Sequence, residues 1–242
     1  MKHIILFLSI SVMSAIAADF SLERDGLCFK NADPELRRFG PLGRLGSTEG
    51  VCQGMSGLVS AFHEHAIFRP LKSKMIYNEA LNAVNELRRY HSGGCSLKKK
   101  IEISGFAHLN EFCQAHKDLF MESSIDYNAD IAIREIAWNL DQFLILKNAP
   151  IVSLKGRRSL HSKIESLREQ LAKGHWPLLL YYRHVVTVHS AIKTEDKVVF
   201  EIYDSNLRTV EFVINYDIDG LPLSGQKMIW DITPNRLTTA CW

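Results

Sequence analysis

His184-Val185-Val186-Thr187-Val188-His189-Ser190-Ala191-Ile192-Lys193 is followed, across Thr194-Glu195-Asp196, by Lys197-Val198-Val199-Phe200-Glu201-Ile202-Tyr203-Asp204. Two β-branched runs separated by a short polar segment read as an antiparallel hairpin, with strands over Val185 to Ile192 and Val198 to Tyr203. Pro177 to Tyr182 supplies an apolar strand before the hairpin. Val210 to Tyr216 and Met228 to Ile232 supply two after it, with Asp219-Gly220 as a turn between them.

Upstream the period is helical. Met55, Leu58, Val59, Phe62 and Ala66 recur at three-and-four spacing, which predicts a helix from Cys52 with Pro70 beyond its end. A second helix follows Ser73 through Ile76, Ala80, Ala83, Val84 and Leu87, stopped by Gly93-Gly94. A third spans Gly105 to Phe120 with Ser104 as its cap. A fourth runs from Ala129 to Leu146, and a fifth uses Leu160, Ile164, Leu167 and Leu171 and ends at Gly174. Residues 18–50 show little periodicity and read as an irregular lead-in. Helices first and strands second predict an α+β fold.

The chain has 242 residues, 46% hydrophobic and 23% charged. That excludes a disordered chain and a polytopic membrane protein. A net charge of +2 is too balanced to indicate a nucleic-acid partner. Lys2-His3, the apolar run Ile4 to Val12 and the small residues of Ala15-Ile16-Ala17 together read as a secretory signal peptide over 1–17, cleaved near Ala17. The expected product is one domain over 18–242, with a helical lobe at about 50–173 and a sheet lobe at about 175–242. It would be secreted or periplasmic, with no stable membrane insertion once the leader is removed.

Export gives the five cysteines, Cys28, Cys52, Cys95, Cys113 and Cys241, a chance to pair, and an odd count leaves one over. Cys52 lies where the lead-in becomes a helix. A thiol at a helix N-terminus feels the positive end of the backbone dipoles, and its pKa falls toward the reactive thiolate. With Cys52 kept as a thiol, the other four cysteines allow three pairings, of which Cys95–Cys113 with Cys28–Cys241 is favoured, against four separate buried thiols.

A thiolate nucleophile needs a base, and the ten histidines must be ranked. A three-residue loop at the hairpin tip pairs Ile192 with Asp196 and sets His184 directly opposite Asp204, about 5 Å away. His189 lies roughly 17 Å from His184 along the strand and on the other parity, so it packs or meets solvent. The constellation is Cys52 as nucleophile, His184 as base and Asp204 as the carboxylate that orients the imidazole.

Glu49-Gly50-Val51-Cys52-Gln53-Gly54-Met55-Ser56 resembles the nucleophile segment of papain-like cysteine peptidases. His184-Val185-Val186-Thr187-Val188-His189 resembles their His-Ala-Val-x-Val-Tyr strand, and Val199 to Asn206 resembles their Val-Tyr-Asp-Pro-Asn strand end. The bacterial bacteriocin-processing-like branch shares this strand–turn–strand unit. The resemblance covers about 25 residues by motif and implies a papain-like fold, with a helical N-terminal half and an antiparallel C-terminal sheet. It implies a peptidase acting on proteins or peptides with no cofactor. One departure stands out. Papain-like enzymes carry a Gln about six residues before the Cys, and position 46 is Gly. The Cys52 backbone N–H can give one oxyanion donor. Ser47, Thr48 and Gln53 are the candidates for the second.

Two rival readings keep the motif order: a transglutaminase-like or amidase-type Cys-His-Asp enzyme, and a non-enzymatic binding protein with a degenerate papain-like fold. The missing Gln favours the latter. His63-Glu64-His65 lacks the spacing that sets two ligands on one helix face, so no zinc site is expected. The Asn215 to Gly220 segment resembles the opening of a calcium loop but has Gln226 in place of the closing Glu, so it is read as a turn.

Overall fold

A computed structural model of the chain describes residues 14–17, 20–49, 51–92, 100–130, 165, 167–181, 184–193, 197–206, 214–217 and 229–231. The fold is α+β. Strand β1 (Ser14–Ala17) and the short helix α1 (Leu22–Asp25) come first. A 3₁₀ helix (Pro34–Phe39) and α2 (Gly40–Glu49) lead to α3 (Cys52–His65) and β2 (Ala66–Arg69). Then come α4 (Tyr77–Ser92), β3 (Ile101–Ser104), α5 (Leu109–Ala115) and helical segments α6 and α7 at residues 117–130 and 167–172. Strands β4 (Leu178–Tyr181), β5 (His184–Lys193), β6 (Lys197–Tyr203), β7 (Ile214–Asp217) and β8 (Ile229–Asp231) complete the described chain.

The main sheet runs β7-β6-β5-β4-β8, every neighbouring pair antiparallel, with β1 added antiparallel to β5. β1 lies inside the residues read as a leader. Val185 to Ala191 are all buried, so β5 is covered on both faces, and its polar Thr187, His189 and Ser190 are enclosed with its valines. Met55, Leu58, Val59 and Phe62 of α3 pack in one core with Val186 and Val188 of β5 and Phe200 and Ile202 of β6. The Ser56 hydroxyl donates to the Val185 carbonyl at 3.0 Å, and the Thr187 hydroxyl donates to the Ser56 carbonyl at 3.0 Å. These two bonds hold the first turns of α3 in register on β5. On its other side α3 approaches α6 closely, because a Cβ at Gly54 would stand 1.8 Å from the Ser124 carbonyl oxygen. Among the described residues no helix is long and apolar enough to cross a membrane.

Several expectations are corrected. Residues 34–49 are helical, not an irregular lead-in. Asp33 accepts from the Glu35 N–H at 3.0 Å, and Pro34 sits at the first helical position, which is a complete start signal. Gly43 in α2 answers a close approach, since a Cβ there would meet the Leu36 carbonyl oxygen at 1.9 Å. Helix α3 ends at His65 with Ala66 as its C-cap, the Ala66 N–H donating to the Phe62 carbonyl, and Ala66 also opens β2, which pairs parallel with β3. Ser104 closes β3, and the cap of the following helix is His108, whose Nδ1 accepts from the Glu111 N–H at 3.2 Å. Within the expected third helix the chain breaks at His116, and α6 starts after it.

The disulfide joins Cys28 to Cys113, with Cα atoms 5.7 Å apart, and both expected pairings give way to it. The reason is local packing: α1 lies on α5, which brings Cys28, three residues past the end of α1, onto the α5 helix. Cys95 and Cys241 lie outside the described residues. So do most of the expected fourth helix, the beginning of the fifth, the Asp219-Gly220 turn and the hairpin loop 194–196.

Candidate active site

Cys52 is the first residue of α3 and is half-buried. The N–H groups of a helix's first turn have no acceptor within the helix, so their partial positive charge gathers around this thiol. Among the described residues Cys52 is the cysteine that remains a thiol. The Val185 N–H donates to its sulfur at 3.5 Å. Val185 directly follows His184, the first residue of β5, where Tyr181 pairs with His184 across the β4–β5 hairpin. The backbone of His184 therefore enters the sheet beside the thiol. The side chain of His184 lies outside the described set.

The register of the β5–β6 hairpin differs from expectation. Ile192 pairs with Val199 and Lys193 with Val198, so the hairpin closes over a longer loop than three residues. Between Val188 and Ser190 the register shifts by one residue. The extra residue is His189, so the strand bulges there. Beyond the bulge Val188 pairs with Ile202 and Thr187 with Tyr203. Continued by one step, this register sets Asp204 across from Val186. The observed register therefore does not place His184 directly opposite Asp204, as the three-residue loop required.

Asp204 is buried at 8% exposure, and its Oδ1 accepts from the Asn206 N–H at 2.7 Å. That local turn fixes the carboxylate at the end of β6. Gln53 is half-buried one residue into α3, next to the candidate nucleophile. The side chains of Ser47 and Thr48 fall outside the described set, and only their backbone, in α2, is placed.

His189 is enclosed. It is 2% exposed, its ring stacks on Phe20 at 4.5 Å, and Trp176 meets it edge-on at 6.1 Å. Neither ring nitrogen has a hydrogen-bond partner among the described residues. Burial disfavours the charged imidazolium and takes its pKa down to about 4. A residue so depressed is no base at neutral pH, and it carries a stability signature. Below the ordinary histidine value of about 6.5 the unfolded chain takes up a proton that the native protein refuses until about pH 4. Stability is therefore lost as pH falls through this window, by about 3 kcal/mol from this group alone. His189→Phe should remove that loss. Urea denaturation at pH 7 and pH 4.5 checks it, with a smaller acid penalty in the variant than in the parent protein.

Three histidines and a glutamate gather at the far end of α3. The His63 ring stacks on Trp176 at 3.5 Å, and its Nε2 lies 3.1 Å from the Gly174 carbonyl. Glu64 turns inward instead, toward His175 Nδ1 at 3.3 Å and the Trp176 N–H at 3.3 Å. Burial raises the Glu64 pKa and lowers those of His63 and His65. Among the described residues no three His, Cys, Asp or Glu side chains are grouped to hold a metal ion. A groove of about 370 Å³ lined by Leu22, His108, Asn110 and Gln114 lies between α1 and α5 and does not include Cys52.

Sequence reasoning missed Asn31. Its Oδ1 accepts from the N–H of Val51, the residue before Cys52. Its Nδ2 donates to Asn206 Oδ1 at 2.6 Å, and its backbone N–H donates to the Ser205 carbonyl at 3.1 Å. Asparagine in a Gly-poor turn gives no signal of such a role; only the fold brings residue 31 between these two segments. Comparison of the chain with protein-family models, with curated proteins and with solved structures finds no match.

Proposed function

We propose that the protein is an exported cysteine hydrolase, a papain-like peptidase working through Cys52, His184 and Asp204. The observation that carries this reading is the 3.5 Å contact between the Cys52 sulfur and the Val185 N–H, with the thiol at the start of a helix and His184 next in the chain. In this mechanism His184 takes the thiol proton and the thiolate attacks the substrate carbonyl. The tetrahedral oxyanion leans on the Cys52 N–H. His184 then returns the proton to the departing amine and leaves a thioester. Water, deprotonated by His184, releases the acid and restores the thiol. Asp204 holds the imidazole in the orientation and tautomer the transfers need.

Export is supported by the Cys28–Cys113 disulfide, a bond that oxidising compartments favour. Cleavage at Ala17 would detach β1 and uncover the Ser190–Lys193 edge of β5.

The test is the reactivity of the thiol. Cys52 should react with iodoacetamide at pH 6 on the order of 10- to 100-fold faster than an ordinary thiol, which is almost wholly protonated there. The rate should fall toward the ordinary value in His184→Ala. A thiol that titrates normally and ignores the loss of His184 would instead favour the non-enzymatic reading that Gly46 suggests.

A further inference from the structure

Asn31 stands between the two chain segments that the catalytic reading joins. Val51 N–H is a donor only, so the Asn31 oxygen must face it, and the amide nitrogen is left to face Asn206. The orientation of the amide is thus fixed by its neighbours. Asn206 gives its own N–H to the Asp204 carboxylate. One continuous path of hydrogen bonds therefore runs from the residue before Cys52, through Asn31 and Asn206, to Asp204. The Asn31 backbone adds a second tie through Ser205.

Two features hold Asn31 in that place. Ala32 adopts φ +58°, a left-handed conformation unfavourable for a residue with a Cβ. Such a cost persists where the surroundings impose it. Three residues upstream, Cys28 is bonded to α5. The turn around Asn31 is anchored at its beginning and strained at its centre, and its side chain bridges two elements distant in sequence.

We infer that Asn31 is a positioning residue that sets the start of α3 and the end of β6 relative to each other, and so aligns Cys52 with the His184–Asp204 pair. The inference rests on the hydrolase reading. Asn31 touches no reacting atom and acts through Val51 and Asn206.

The experiment measures the pH profile of Cys52 alkylation by iodoacetamide in the full chain with its disulfide intact, together with hydrolysis of a mixed peptide library. The parent protein is measured first. If its thiol titrates as an ordinary one, the hydrolase reading fails and this inference fails with it. If the parent thiol is activated, Asn31→Ala should move the alkylation midpoint to higher pH and lower turnover on the order of 10- to 100-fold, the loss expected when catalytic groups move by about 1 Å. Asn206→Ala changes an exposed side chain and keeps the N–H that serves Asp204. It should reproduce part of both effects if Asn31→Ala does not fold. An activated parent thiol whose pH profile and turnover are unchanged in Asn206→Ala, and in Asn31→Ala where it folds, would overturn the positioning role and leave the hydrolase reading standing.

Discussion

His184→Ala and Cys52→Ala should each reduce peptide hydrolysis by at least about 10³-fold, while His189→Ala retains turnover within a few-fold of the parent in its folded fraction. The scale follows from removing a member of a unit that transfers one proton between nucleophile and leaving group, where single deletions cost nearly as much as multiple ones. The contrast between the two histidines follows from their places on β5. His184 opens the strand beside the Cys52 sulfur contact, whereas His189 is the bulged residue enclosed by Phe20 and Trp176. His189→Ala opens a cavity and loses a stacked pair, so its effect should appear in stability, at about 2–3 kcal/mol. Steady-state assays beside urea melts of the same preparations separate the two. The reverse ranking of activities would remove His184 as the base.

Replacing the disulfide by Cys28→Ser with Cys113→Ser should destabilise the protein by about 4 kcal/mol. The bond closes a loop with a sequence separation of 85, and the loss of that constraint on the unfolded chain sets the size. For a chain of this length the melting temperature should drop by about 10 °C or more. Melts followed by circular dichroism check the figure. Dithiothreitol should lower the melting temperature of the parent toward that of the double variant and leave the variant's own nearly unmoved. An equal melting temperature for both proteins without reductant would show that the bond contributes nothing to stability.

The elements most legible in the sequence were those written as a period. Met55, Leu58, Val59 and Phe62 declare one helix face, and all are buried. The β5 and β6 runs are as plain, because β-branched residues fill both. What the sequence left open was decided by contacts distant along the chain. The hairpin register depends on a bulge at His189, and nothing local distinguishes a bulged histidine from a regular one. Ala66 to Arg69 continues the helical pattern of α3 by composition, and becomes a strand because β3 offers it a partner. Glycines in α2 resemble loop residues until Leu36 is seen crowding Gly43. Within the candidate site, Cys52 was legible from its place at a helix start. Asn31 was not, since its role consists wholly of bridging segments that the fold alone brings together.

The disulfide also bounds the surroundings in which such a protein can work. Cys28–Cys113 lasts only where the ambient potential keeps two thiols oxidised, whereas Cys52, on the proposed hydrolase reading, would have to stay reduced to serve as the nucleophile. A strongly reducing milieu would open the bond that anchors the turn before Asn31. A strongly oxidising one would carry a reactive thiolate to sulfenic acid and beyond. On that reading the two sulfur sites set opposite limits, and the protein's activity is expected between them. Measured against the ratio of reduced to oxidised glutathione, its activity should rise, pass through a maximum and fall.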